Sequence, residues 1–112
     1  MHLRIKSFIA ISAFLPLGVL AEPALTFDQG EALAKQKTCL GCHQVNAKRV
    51  GPGFVQIAQR YHGQSEALDY LANVIRKGGR GKWGAVPMPA QSHVTAEQAL
   101  QLAQWTLSLV PN

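Results

Sequence analysis

The chain has little charge, little cysteine and almost no methionine. Of its 112 residues 15% are charged and 7% aromatic, and it holds two cysteines and two methionines. Both cysteines, Cys39 and Cys42, fall in one short stretch. That excludes the disulfide framework on which small exported domains often rely, because a Cys39–Cys42 bridge would close only a tiny loop. No run reaches the roughly 20 apolar residues that a membrane-spanning helix needs. No arginine-rich tract is present, so nucleic-acid binding has no footing. No stretch alternates apolar and polar residues as a half-buried strand does. Internal repeats and low-complexity tracts are absent too. A chain of this length makes one small domain.

Its start does not read as part of that domain. Arg4 and Lys6 precede an almost wholly apolar run of about thirteen residues, Phe8 to Leu20, and Val19-Leu20-Ala21 offers compact residues before Glu22. This is the pattern of a secretory signal peptide, residues 1–21, cleaved after Ala21; the rival is a retained anchor. The remaining domain, 22–112, keeps nine basic residues against six acidic ones, a net charge of +3. That sign weakly favours an acidic docking partner.

The most specific feature is Cys39-Leu40-Gly41-Cys42-His43. C-x-x-C-H is the attachment pattern of c-type haem. Two thiols at this spacing reach the vinyl groups on one edge of a porphyrin and form thioethers, and the histidine that follows binds the iron. A thioredoxin-like dithiol would need a βαβ setting, and strands are missing. A zinc site would need about four ligands, and His62 or His93 would have to complete Cys39, Cys42 and His43. Such a small domain needs help to be stable, and haem would supply an apolar centre for its core.

Helical periodicity accounts for most of the rest. A first helix is expected from Asp28 to about Lys37, capped by Thr26 or Asp28, with Phe27, Gly30 and Ala34 at helical spacing. A short helix around Phe54, Ile57 and Ala58 follows the break at Gly51-Pro52-Gly53 and ends near Tyr61-His62-Gly63. Leu68, Leu71, Ala72 and Ile75 mark a third helix, Ser65 to Lys77, with Ser65 as its cap and Gly78-Gly79 as its stop. Thr95 with Gln98 makes a capping box for the last helix, Thr95 to Leu109. Between the last two lies an irregular loop, Gly78 to His93, with glycines and prolines throughout.

A second iron ligand would come from Met88, His62 or His93. Met88 has the best setting, since Pro87 and Pro89 fix its backbone on both sides. His62 and His93 read as surface or capping histidines. Trp83 either packs on the haem edge or donates its indole N–H to a propionate, and both can hold. Trp105 reads as core. Pro52 is either a plain turn residue or the carbonyl that accepts from the ring nitrogen of His43 not bound to iron.

Taken together, Cys-Leu-Gly-Cys-His, Val50-Gly51-Pro52, Gly81-Lys82-Trp83-Gly84 and Val86-Pro87-Met88-Pro89 resemble the short bacterial class I cytochromes c. These are soluble periplasmic monohaem electron carriers. The resemblance spans nearly all of 22–112. It implies an all-α fold of about four short helices wrapped around one covalently bound haem c, with the first and last helices crossing near Gly30, Ala34 and Trp105. It implies thioethers at Cys39 and Cys42, iron ligation by His43 and Met88, orientation of His43 by Pro52 and a propionate contact from Trp83. One departure stands out. Some relatives carry an arginine in the third helix where this chain has Val74, which leaves Arg76 or Arg80 to face a propionate.

The activity implied is electron transfer in a respiratory chain rather than catalysis, because iron held on both faces has no open site. The alternatives are a haem sensor or enzyme with an open iron position, and a domain or subunit of a larger oxidoreductase. Partners would be redox proteins: a cytochrome c reductase-type donor, and a terminal oxidase, nitrite reductase or peroxidase as acceptor. A monomer is expected.

Overall fold

The computed structural model describes residues 10–18 and 23–111. Residues 10–18 have no regular secondary structure, and Ile11, Phe14, Leu15 and Leu17 are exposed. The expected cleavage site lies outside the described residues. Among those residues there are four α-helices and no strand: α1 (Phe27–Gln36), α2 (Phe54–Tyr61), α3 (Ala67–Lys77) and α4 (Ala96–Leu107). None is long and apolar enough to cross a membrane.

Side chains set the helix ends. Of the two caps the sequence offers for α1, Thr26 is used: its hydroxyl accepts from the Gln29 N–H at 3.3 Å, and the Gln29 side chain accepts from the Thr26 N–H at 3.0 Å. Thr95 and Gln98 repeat the arrangement at α4, with both bonds at 3.1 Å. Each such cap satisfies donors that the first helical turn leaves free, worth about 1 kcal/mol. The helix from Ser65 begins two residues later than expected, because Ser65 does not cap it. Its hydroxyl donates instead to the Glu66 carboxylate at 2.5 Å, which holds that carboxyl below its usual range. Helix α4 stops at Leu107 rather than Leu109, and the Ser108 hydroxyl turns back to the Trp105 carbonyl at 2.6 Å.

The core forms where α4 meets the other helices. Trp105 is fully buried. Phe54 meets it edge-on with ring centroids 5.1 Å apart, and Phe27 covers it at 6.2 Å. Helix α1 crosses α4 at Gly30, as the family resemblance implies. A Cβ on Gly30 would lie 2.0 Å from Cδ1 of Trp105, so only glycine admits the indole here. The crossing fixes α4, and α4 in turn presents Leu102, Ala103 and Thr106 to the cavity described next.

Candidate functional site

One cavity brings together Cys39, Cys42, His43, Pro52, Trp83 and Met88. Phe54, Ile57 and Tyr61 of α2, Leu71, Val74 and Ile75 of α3, and the three α4 residues complete mostly apolar walls. The space measures about 1150 Å³ with its open mouth included.

The cysteines and His43 are set by a single tight turn. Cys39–Gly41 is a 3₁₀ turn, and the Cys39 carbonyl accepts from the N–H groups of both Cys42 (3.1 Å) and His43 (3.0 Å). Thr38, just before it, is left-handed at φ 64°, an unfavourable conformation for a β-branched residue. Burial pushes the Cys39 thiol up, whereas Cys42 is exposed.

His43 is buried and tightly located. The Pro52 carbonyl lies 2.6 Å from its Nδ1. A carbonyl only accepts, so Nδ1 carries a proton, and in the neutral imidazole the lone pair is then on Nε2. The peptide of Gly51 lies so close to the imidazole that a Cβ there would come within 2.6 Å of Cε1. This loop is held in place because the Val50 and Gly51 N–H groups both donate to the Cys42 carbonyl, at 3.1 and 2.8 Å.

Met88 is held by more than its prolines. Its N–H donates to the Gly79 carbonyl at 2.8 Å and its carbonyl accepts from the Gly79 N–H at 3.0 Å. The loop expected to be irregular therefore has a paired neck at these two residues. Gly78 makes the pairing possible: it sits at φ 82°, and a Cβ there would lie 2.7 Å from the Met88 carbonyl oxygen.

The other candidates fall elsewhere. His62 is exposed beyond α2, and His93 is exposed with Nε2 2.9 Å from the Lys37 carbonyl at the end of α1. Neither lines the cavity. Val74 lines it where some relatives have arginine; Arg80 and Lys82 also line it, and Arg76 does not. The sequence reading missed Arg60. Its guanidinium sits 4.6 Å from the centroid of the Trp83 ring and donates to the Lys82 carbonyl, 22 positions away. No local pattern signals a pair that distant.

This donor set suits haem: two thiols and an imidazole on one turn, and a thioether in the same apolar cavity. Among the described residues no three His, Cys, Asp or Glu side chains are grouped to hold a metal ion.

Comparison with known proteins agrees. The family described as Cytochrome c matches residues 27–109. Cytochrome c-552 of Hydrogenobacter thermophilus is 51% identical over 96 residues, covering 86% of this chain and 96% of that protein. Cytochrome c-551 of Stutzerimonas stutzeri is 48% identical over 93 residues, covering 82% and 88%. The crystal structure of wild-type Nitrosomonas europaea cytochrome c552 superposes with a TM-score of 0.70 at 42% identity, covering 71% of this chain and 99% of that one. The chain belongs to the cytochrome c family, among the short bacterial class I cytochromes c, which are electron-transfer proteins rather than enzymes.

Proposed function

We propose that this chain is a periplasmic carrier of a respiratory chain, holding one haem c through thioethers at Cys39 and Cys42 and ligating its iron with His43 and Met88. The observation that carries this reading is the placement of all four side chains in one cavity. Bound there, haem supplies one-electron cycling between Fe(II) and Fe(III).

The chain's own residues account for the rest. Pro52 fixes the tautomer of His43 and makes the imidazole a stronger donor. The soft thioether of Met88 favours the reduced metal and raises the potential relative to two imidazoles. Apolar walls exclude water and keep the site's geometry similar in both oxidation states. Trp83 and Arg80 are the candidates to face the propionates.

Export as a cleaved precursor is supported by residues 10–18, whose exposed apolar side chains take no part in the core. For docking we favour an apolar patch of Leu40, Gly41, Val86, Pro87 and Ala90, rimmed by Lys48, Arg49 and Lys82. Val86 is 63% exposed, and all three cations are exposed. Such a patch suits brief encounters with an acidic donor or oxidase-type acceptor.

The test is Met88→Ala. Haem stays attached through the cysteines, and the reduction potential falls. An unchanged potential would show that Met88 is not a ligand.

A further inference from the structure

Residues 80–87 form an exposed loop between the two neck residues, Gly79 and Met88. Among the described residues no backbone-to-backbone hydrogen bond involves any of these eight residues. Gly81 and Gly84 both sit at positive φ, 81° and 112°, so the loop has little stiffness of its own. Yet it carries Trp83 on the cavity wall and leads directly into Met88. Something outside the loop must hold it.

That contact comes from the last turn of α2. Arg60 donates to the Lys82 carbonyl and lays its guanidinium over the Trp83 ring at 4.6 Å. The same guanidinium lies 5.8 Å from the Tyr61 ring centroid. Gln64 holds the turn from which Arg60 projects, its side-chain amide donating to the Arg60 carbonyl at 3.1 Å. One side chain thus grips the loop by its backbone and by its single aromatic group.

We propose that Arg60 is a positioning residue that latches the 80–87 loop to α2 and so governs how readily Met88 leaves the cavity. This rests on Met88 acting as a ligand. The planar guanidinium can stack on the indole and still direct N–H groups at a carbonyl, which a compact ammonium cannot do at once. A cation on an aromatic face and a charge-assisted bond, both discounted for exposure, together change the closed-to-open ratio about tenfold.

The test compares the wild-type haem protein with Arg60→Ala, Arg60→Lys and, as a control for lost surface charge, Lys35→Ala, which removes an exposed cation of α1. Imidazole is titrated into the ferric protein, and loss of the sulfur-to-iron charge-transfer band is followed. Amide hydrogen exchange at Gly79 and Met88 is measured alongside. In Arg60→Ala we expect imidazole to bind about tenfold more tightly and both neck amides to exchange about tenfold faster, while α4 amides stay as in wild type. Arg60→Lys recovers part of the difference, and Lys35→Ala matches wild type. The latch is overturned if Arg60→Ala matches wild type in both readouts, or if α4 amides speed up equally. A wild-type protein lacking the charge-transfer band contradicts the ligand assignment instead, and neck-amide exchange still decides whether Arg60 holds the loop.

Discussion

The Pro52 carbonyl accepts from Nδ1 of His43 at 2.6 Å, so a backbone group fixes which nitrogen of the imidazole is free to bind a metal. The proline ring fixes φ just before that carbonyl, and the Gly51 peptide packs closely against the imidazole. Pro52→Ala keeps the carbonyl and loosens its aim. A weaker bond makes His43 a poorer donor to oxidised iron, so the potential should rise. A loss of 0.5–1 kcal/mol corresponds to roughly 20–40 mV for one electron. Voltammetry of the two proteins checks this, and a fall in potential would contradict it.

Gly30 and Trp105 make a second tight pair, at the crossing of α1 and α4. Gly30→Ala should destabilise the haem protein by about 1–3 kcal/mol, since the indole is enclosed and cannot retreat. Guanidinium unfolding measures it. Wild-type stability would mean that the two helices separate freely at this point.

Tyr61 sits in the cavity wall, and its ring centroid is 5.3 Å from that of Tyr70. Burial pushes its hydroxyl pKa up, and the Tyr70 hydroxyl adds to the effect. A folded-state pKa above the unfolded value means that this stability is fully present below about pH 10 and is lost as pH rises through the folded pKa. Tyr61→Phe should therefore lose less stability than wild type between about pH 9 and 11. Equal losses would show that Tyr61 ionises freely in the folded protein.

Residues of α2, α3, α4 and the haem-attachment turn all line the cavity that His43 and Met88 share, so much of the apolar surface of this small domain faces it rather than other side chains. The haem-free polypeptide should be largely unfolded, and circular dichroism on heating should show no cooperative transition. A native-like transition would mean that the helices make a sufficient core alone.

Much of this was legible in the sequence because it was written locally. The Thr95–Gln98 cap, the five-residue haem motif and the Pro87-Met88-Pro89 clamp each lie within a few positions, where spacing determines geometry. Ser65 misled because its hydroxyl had a nearer partner in the Glu66 carboxylate. The Gly79–Met88 neck and the Arg60–Trp83 stack were invisible because each joins distant positions whose neighbours carry no periodic pattern. Gly78 is the helix stop its position predicts, but its close approach to Met88 emerges only in three dimensions.

The central claim is that His43 and Met88 together seal the metal. The optical spectrum of the ferric protein, followed by carbon monoxide added to the reduced form, tests it most directly. The account predicts a sulfur-to-iron charge-transfer band and no ready uptake of carbon monoxide. A missing band together with rapid carbon monoxide binding would contradict it and leave an open-site haem protein in its place.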